Sequence, residues 1–277
     1  MHKLVAVAIA LSMAASAEAQ LGDILKKIDP SKIKKGANVV RQASRDFTED
    51  EEADIGRVVA AKILATYPLT KNDKLQQYVT LVGNTVAAYS ARPELEWHFA
   101  VIDAAFVNAF SAPGGFIFVT SAALDQMHSE AELAAVLGHE IAHVTQKHIL
   151  KEIKRANTIN AGVEMAKETS GGSFLNDEMG ARVSKIAYEK LFTTGLSRRD
   201  EEEADTIGTE IAASAGYKAT EFLTFLEGLA KIEGSSQMRM LVSTHPTPED
   251  RIQYLRPKLQ SDSGVILAER WEEWTKG

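Results

Sequence analysis

Residues 137–148 read LGHEIAHVTQKH, in which two histidines stand four residues apart and a glutamate directly follows the first. Side chains four apart on an α-helix share one face, with Cβ atoms about 5–6 Å apart, so His139 and His143 can converge on one metal ion. Glu140 lies about 100° around the helix, where it can take a proton from a water beside that ion. The pattern is typical of a catalytic zinc site, but a surface helix with scattered His and Glu produces it by chance.

The residues that flank this stretch favour a buried helix. Its apolar positions are Leu133, Val136, Leu137, Ile141 and Val144. A solvated helix would be polar at these positions. Ser129 and Glu132 form a capping-box pattern that opens the helix. Histidine and glutamate in such a helix need polar partners, and a metal ion would satisfy all of them.

A second segment offers a further metal ligand. Catalytic zinc usually has three protein ligands and a water, so two histidines are not sufficient. Residues 197–208 read SRRDEEEADTIG, and Glu201 and Asp205 stand four apart on a predicted helix. One carboxylate can bind zinc while the other accepts the free ring N–H of a ligand histidine. Glu202 and Glu203 compete for the ligand position, and acidic runs are more often solvated surface.

Bulk composition permits an enzyme and argues against some partners. The 277 residues suffice for one large domain or two modest ones. Hydrophobic residues make up 45% and charged residues 25%, close to the average of globular proteins. The net charge of −7 provides no basic excess for a phosphate backbone, so nucleic acid is not an expected partner. The absence of cysteine excludes disulfides, thiolate metal sites and a lipid-modified N-terminal cysteine.

The first 19 residues have the form of a signal peptide. Lys3 precedes an apolar run over residues 4–15, and Ala17-Glu18-Ala19 has the small-x-small pattern of a cleavage site. The apolar run is too short to cross a hydrocarbon core of about 30 Å, and no later stretch reaches the ~18 apolar residues that a spanning helix needs. We expect a periplasmic protein that is not a lipoprotein and has no transmembrane segment after cleavage.

The remaining chain is expected to divide into a basic N-terminal arm, residues 20–46, and one main domain, residues 47–277. Alternation around residues 97–101 and the β-branched and aromatic run at residues 116–120 predict a small sheet. Pro113, Gly114 and Gly115 mark the turn before its last strand. Helical periodicity prevails afterwards, interrupted by a Gly-rich loop at residues 170–177. The predicted fold class is α+β and mainly helical.

Four motifs resemble those of the gluzincin zinc metallopeptidases of the CAAX prenyl protease type. They are NAFSAPGGFIFVTSAAL (residues 108–124), HEIAH (139–143), EEEAD (201–205) and HPTPEDRI (245–252). The similarity covers residues 47–255 and is to the soluble periplasmic branch, because the chain lacks the long hydrophobic hairpins of membrane-embedded members. It implies a zincin-like metalloprotease domain whose small sheet has an edge strand beside the active-site cleft. The chain ends without the C-terminal helical repeats of the longest members, so no such docking platform is expected.

The resemblance implies roles for the residues of the central motifs. His139, His143 and Glu201 would bind one Zn²⁺ per chain. Glu140 would be the general base and then the general acid of peptide hydrolysis. Asp205 would support a ligand histidine.

The resemblance also implies how substrate is bound. Asn108, Gly114, Gly115 and Phe116 belong to the segment that pairs with an extended polypeptide, and such backbone pairing tolerates many sequences. Alternatively, residues 116–119 are simply a core strand, and both interpretations can hold together.

Two further histidines stand near these motifs. His245 would stabilise the oxyanion of the tetrahedral intermediate or act as a reversible extra metal ligand, and the alternative is a structural helix-cap histidine. His148 stands five residues after His143 and off the ligand face. Packing behind the ligands is therefore expected of it, rather than metal binding.

The expected function is zinc-dependent endopeptidase activity on misfolded or unassembled envelope proteins, with a zinc-activated water as nucleophile. The partners would be polypeptide substrates, including outer-membrane proteins or their assembly machinery. A second hypothesis is a zinc-stabilised periplasmic chaperone or assembly factor with latent or absent proteolysis, because His245 or the loop at residues 170–177 could close the cleft. A non-peptide zinc hydrolase is a third.

Overall fold

The computed structural model describes residues 45–164, 177–259 and 263–275. The expected signal peptide, nearly all of the basic arm and most of the Gly-rich loop lie outside the described residues. The chain divides into a larger unit, residues 46–153 with 172–277, and a smaller one, residues 1–45 with 154–171. All residues of the candidate site belong to the larger unit.

The described residues are mainly helical. The α-helices are α1 (Glu49–Thr66), α2 (Asp73–Ala87), α3 (Ser121–Leu124), α4 (Glu130–Thr145), α5 (His148–Glu164), α6 (Asp177–Glu189), α7 (Arg198–Ser214), α8 (Glu221–Lys231), α9 (Arg239–Thr244), α10 (Pro248–Leu255) and α11 (Ala268–Thr275). A π-helical turn, Lys190–Thr194, follows α6, and a 3₁₀ turn, Ser236–Met238, precedes α9. The strands are β1 (His98–Ile102), β2 (Ala109–Ala112) and β3 (Phe116–Thr120). The α+β class is confirmed. Within these ranges no helix has both the length and the apolar character needed to cross a bilayer.

The three strands form one mixed sheet in the order β1-β3-β2. Strand β3 is central, parallel to β1 and antiparallel to β2. Gly114 and Gly115 make the tight turn between β2 and β3 with φ values of 77° and 92°, a region that residues with side chains rarely adopt. The core-strand interpretation of residues 116–119 is therefore confirmed, and the edge strand of the NAF-x-x-PGG segment is β2.

Alternate residues of β3 contribute to two separate hydrophobic clusters, as the two-residue period of a strand requires. Ile117 and Val119 lie in the cluster that contains Phe222 of α8. Phe118 lies in the cluster that contains Ile63 of α1. The sheet is thus covered on both faces.

Helix α4 carries the HEIAH motif and is a core helix. Ser129 accepts a hydrogen bond from the backbone N–H of Glu132 at 3.2 Å, as the capping pattern predicts. The Glu132 carboxylate accepts one from the backbone N–H of His128 at 2.6 Å. Every residue from Glu130 to Val144 is buried. The alternative of a solvated surface helix is therefore wrong.

Two glycines let α4 and α7 approach closely. A Cβ atom added to Gly138 would lie 2.5 Å from the carbonyl oxygen of Gly208. One added to Gly208 would lie 2.5 Å from the backbone nitrogen of His139. Since these are backbone atoms, no side-chain adjustment relieves the overlap. The contact sets α7 directly against the helix that carries HEIAH.

We expect Gly208→Ala to lower the free energy of unfolding by about 1–3 kcal/mol, because the methyl group forces two backbones apart. Urea unfolding followed by circular dichroism measures this change. Gly228→Ala in α8 is the matched control, since no atom lies within 4 Å of its added Cβ. Alanine there should leave stability unchanged or raise it by up to about 1 kcal/mol. Equal stability of the two variants would contradict the close approach.

Candidate metal centre

Three segments bring four possible metal ligands together. His139 and His143 come from α4, Glu201 from the first turn of α7, and His245 from the link between α9 and α10. One ligand atom of each lies within 4.8 Å of those of the other three. His139, His143 and Glu201 are 3%, 4% and 1% exposed. Neither Glu202 nor Glu203 joins this cluster, so the structure selects Glu201 among the three neighbouring carboxylates.

The distances suit a tetrahedral zinc ion. The Nε2 atoms of His139 and His143 are 2.9 Å apart. The Glu201 carboxylate oxygens lie 3.7 Å from the first and 3.6 Å from the second. Ligand atoms bound tetrahedrally at ~2.0–2.1 Å are about 3.3 Å from one another, so the three separations bracket this value. Oε2 of Glu201 is also buried without a hydrogen-bond partner among the described residues, which a cation would supply.

The electrostatics of the cluster also favour a cation. Burial lowers the pKa of His139 to about 4 and holds that of His143 well below its ordinary value. Both imidazoles are therefore neutral, the form that binds metals. Burial raises the pKa of Glu201 well above its ordinary value. A buried carboxylate whose charge is disfavoured gains most from a neighbouring positive ion.

Glu140 lies beside the cluster and is 2% exposed. Burial raises its pKa to about 7, while a hydrogen bond with Ser111 of β2 acts in the opposite direction. A carboxylate with a pKa near neutrality can both accept and return a proton. Sequence analysis missed Ser111, because a serine in a short strand carries no distinguishing pattern.

Asp205 binds His139 on the ring nitrogen that does not face the cluster. Its Oδ1 lies 2.8 Å from Nδ1 of His139, so Nε2 of that ring is left for the metal cluster. Arg251 of α10 binds the same carboxylate through Nη2 at 2.5 Å and Nε at 3.1 Å. Burial opposes the charge of Asp205, but Arg251 and the hydrogen bond from His139 outweigh it and lower its pKa.

Arg251 is a second residue that sequence analysis missed. It is 6% exposed, and its guanidinium carbon lies 5.0 Å from the ring centroid of Phe222. The ion pair with Asp205 raises its pKa against the effect of burial. The motif HPTPEDRI contains this arginine, but sequence alone does not reveal that α10 carries it to Asp205.

A small cavity of about 20 Å³ lies beside Glu140. Its apolar wall includes Val136, Phe222, Phe225, Leu229 and Leu241. Asn108 and His245 also line it. Both polar side-chain atoms of Asn108 are buried and have no hydrogen-bond partner among the described residues. An amide whose donor and acceptor groups have no partner in the described residues therefore lines the same cavity as the candidate general base.

His245 is the fourth member of the cluster. Its Nε2 lies 3.9 Å from Oε2 of Glu201. Its Nδ1 lies 3.0 Å from the Thr244 hydroxyl. This position suits either an extra ligand or a group that binds the reacting carbonyl.

Strand β2 lies along the cluster. Asn108 precedes it in the first cavity, and Ser111 and Pro113 line a second, smaller cavity with His143. The predicted residues Gly114, Gly115 and Phe116 are not among the residues that line either cavity. Gly114 and Gly115 form the turn, and the Phe116 ring stacks on His98 with centroids 4.5 Å apart.

Glu52 of α1 holds the turn that ends β2, and sequence analysis missed this role. Its carboxylate is 1% exposed and accepts a hydrogen bond from the backbone N–H of Gly114 at 3.3 Å. Arg92 binds it at 2.7 Å and Lys147 at 3.2 Å. Because Lys147 stands two residues after the last residue of α4, one carboxylate links the turn of β2 to the end of that helix.

Comparison with known proteins identifies the family. The sequence model of peptidase family M48 matches residues 73–258. The β-barrel assembly-enhancing protease of Yersinia pestis is 30% identical over 222 residues, which cover 76% of this chain and 44% of that protein. Metalloprotease LoiP of Escherichia coli is 32% identical, over 60% of this chain and 64% of its own length. Mitochondrial metalloendopeptidase OMA1 of Arabidopsis thaliana is 32% identical, over 61% of this chain and 33% of its own length.

The chain spans only 42–48% of the length of the β-barrel assembly-enhancing proteases that it matches. Among solved structures, Ste24p of S. mikatae aligns with 18% identity and a TM-score of 0.41, covering 70% of this chain and 52% of that one. The family match extends over more than half of the 277 residues and includes both the HEIAH and the EEEAD motifs. This chain belongs to peptidase family M48.

Proposed function

We propose that this chain is a zinc-dependent endopeptidase. The observation that carries the proposal is the convergence of His139, His143 and Glu201 at tetrahedral spacing, with the buried carboxylate of Glu140 beside them. Membership of peptidase family M48 supports the same reaction class. Relatives named as metalloprotease and metalloendopeptidase also support it.

His139, His143 and Glu201 would hold one zinc ion. When bound, zinc acts as a Lewis acid that polarises the scissile carbonyl and makes water acidic enough to attack it near pH 7. Glu140 takes the proton of the attacking water on its carboxylate. It then delivers this proton to the nitrogen of the leaving amine, as its pKa of about 7 allows.

The other side chains of the site bind and orient. Asp205, itself held by Arg251, keeps the proton of His139 on Nδ1, so that Nε2 faces the cluster. The free amide of Asn108 can bind a backbone group of the substrate beside Glu140. We propose that His245 contributes an N–H to the developing oxyanion.

Polypeptide is the substrate class that the surroundings favour. Strand β2 is an edge strand along the cluster, and its backbone can pair with an extended segment of any sequence. The side chains that surround Glu140 are mainly apolar, which favours an apolar residue of the substrate next to the scissile bond. We propose that Gly114, Gly115 and Phe116 act by shaping the end of this strand.

We propose misfolded or unassembled envelope proteins as the physiological substrates, with outer-membrane proteins or their assembly machinery as partners. The relatives named as β-barrel assembly-enhancing proteases support this choice. It also requires the predicted layout: signal peptide at residues 1–19, basic arm at residues 20–46 and periplasmic peptidase domain at residues 47–277.

A zinc-stabilised chaperone with latent proteolysis is the second candidate. The deep burial of the ligands and the position of His245 in the cluster favour it, because a substrate carbonyl must displace or pass this ring. His245→Ala separates the candidates. Cleavage by the wild type that falls in His245→Ala would support the endopeptidase, in which His245 binds the oxyanion. A wild type that only holds unfolded protein would favour the chaperone, and cleavage gained by the variant would then show that the proteolysis is latent.

Glu140→Gln should lower the rate of cleavage of an unfolded protein such as casein by at least about 100-fold, because the amide cannot accept the proton of water. Zinc content and thermal unfolding should stay unchanged, since Glu140 is not a ligand. Glu202→Gln is the matched control, because Glu202 faces outward and pairs with Arg198. Undiminished cleavage by Glu140→Gln would refute the general-base assignment.

Removal of metal provides an independent prediction. Dialysis against a chelator should abolish cleavage and lower the melting temperature, and one equivalent of zinc per chain should restore both. The stability change is expected because the ion binds the folded cluster and not the unfolded chain. Full activity in protein that elemental analysis shows to be metal-free would exclude the proposed centre.

Asn108→Ala should affect stability and activity in opposite directions. The variant removes a buried amide that has no partner in the ranges the structure describes, so the free energy of unfolding should stay equal or rise. Cleavage should fall by about tenfold or more, because a hydrogen bond to substrate is lost. Chemical unfolding and peptide kinetics measure the two effects, and a loss of stability without a change in cleavage would contradict this role.

A further inference from the structure

His148 is a completely buried imidazole at the start of α5 and is not one of the four clustered ligands. Its Nδ1 lies 2.8 Å from Nδ1 of His143. Its Nε2 lies 3.3 Å from a carboxylate oxygen of Glu203 and 3.7 Å from one of Asp200. Both ring nitrogens therefore have partners, and one of these is a proposed metal ligand.

The positions of the protons in this chain of groups follow from the cluster. His143 presents Nε2 to His139 at 2.9 Å and to Glu201 at 3.6 Å, so a metal would take the lone pair of that nitrogen. The neutral ring of His143 then carries its proton on Nδ1. Since only one proton fits between the two Nδ1 atoms, His148 accepts it. The proton of His148 consequently lies on Nε2 and is donated to Glu203.

We propose that His148 is a positioning residue, which holds His143 in the tautomer and orientation that metal binding requires, with Glu203 and Asp200 as the terminal acceptors. The inference rests on the proposed metal centre but not on peptide hydrolysis. In this arrangement both ligand histidines are oriented in the same way, because each donates its Nδ1 proton to a polar group of the protein. His139 donates directly to Asp205, whereas His143 donates through a second imidazole.

The backbone between α4 and α5 makes this contact possible. In an uninterrupted helix, a residue five positions after His143 would lie about 140° around the axis and could not reach its ring. Lys147, with φ at 57°, ends the helical path in the left-handed region and turns His148 back towards His143. Glu52 binds the Lys147 ammonium group at 3.2 Å and helps to hold this conformation.

Helix α7 carries the carboxylates that would accept the protons of these histidines. Glu201 faces the ligand cluster, and Asp205, one turn later, binds His139. Asp200 and Glu203 lie on the side of the same helix that faces His148. A single helix therefore orients both ligand histidines and provides a ligand itself.

A second metal ion at His148 is the competing interpretation, because His148, Asp200 and Glu203 also offer three clustered donor atoms. An ion bound to Nε2 of His148 would place the proton of this ring on Nδ1. That proton would point at Nδ1 of His143, whose own proton would have to move to Nε2. His143 could then no longer bind the first ion, so the hydrogen bond of 2.8 Å favours one metal per chain.

Zinc affinity of the full chain, measured by competition with a chromophoric chelator, tests the proposal. His148→Phe keeps a ring but has no acceptor, and zinc should bind about 10–100-fold more weakly. His148→Asn places an amide oxygen near the position of Nδ1, so its affinity should lie within a few-fold of wild type. Equal affinity of wild type and His148→Phe would overturn the proposal.

The double variant Asp200→Asn/Glu203→Gln covers the case in which His148→Phe does not fold, since both carboxylates are partly exposed. We expect several-fold weaker zinc binding from it, and no change from the control Glu202→Gln. Affinity equal to that of wild type in the double variant would count against the carboxylates as terminal acceptors.

Nitrogen-15 NMR of the imidazoles in the zinc-loaded protein provides a direct signature. The proton should lie on Nδ1 of His143 and on Nε2 of His148, and the opposite tautomer of either ring would overturn the proposal. Two zinc ions per wild-type chain and one in His148→Phe would instead assign the cluster to a second ion. Tight zinc binding that depends on His148, in a protein that cleaves nothing, would refute the endopeptidase proposal alone.

Discussion

The close approach of α4 and α7 is the constraint on which the site depends. Gly138 and Gly208 bring the two backbones together, since a methyl group at either position would overlap the facing main chain. This contact lies one residue before His139, so the separation of the helices sets the distance from the imidazoles to Glu201. Side chains of fixed length reach a common point only when their helices stand at the corresponding separation.

Burial then determines the electrostatics. The site removes three imidazoles, three carboxylates and one guanidinium from water: His139, His143, His245, Glu140, Glu201, Asp205 and Arg251. Asp205 and Arg251 keep their charges because two short hydrogen bonds join them. Glu201 and Asn108 retain buried polar atoms that have no hydrogen-bond partner in the described part of the chain. Unpaired groups of this kind disfavour folding, and they occur here where a metal and a polypeptide would supply the missing partners.

Contacts of strand β2 connect the candidate metal centre to the edge of the sheet that would bind substrate. Strand β2 carries Ser111, which bonds Glu140, and it ends at the turn that Glu52 holds. Glu52 also binds Lys147, the residue whose backbone turns His148 towards His143. The edge that would bind an extended polypeptide and the helix that would bind the metal are therefore joined by one buried carboxylate. A displacement of β2 should therefore shift the proposed metal ligands, because Glu52 binds both the turn of β2 and Lys147.

The sequence by itself determined the features that depend only on the residue spacing within one helix or strand. The spacing of His139 and His143, and that of Glu201 and Asp205, follow from 3.6 residues per turn, and the apolar flanks predicted a buried helix. The small sheet, the glycine turn and the mainly helical class also follow from local patterns. Only the tertiary structure decided which of three adjacent glutamates faces the histidines, that Arg251 binds Asp205, and that His148 contacts His143. These contacts join residues of different elements, or of helices separated by a turn. Their distances depend on how closely the helices pack and on the conformation of the turns, which the spacing of residues within one element does not encode.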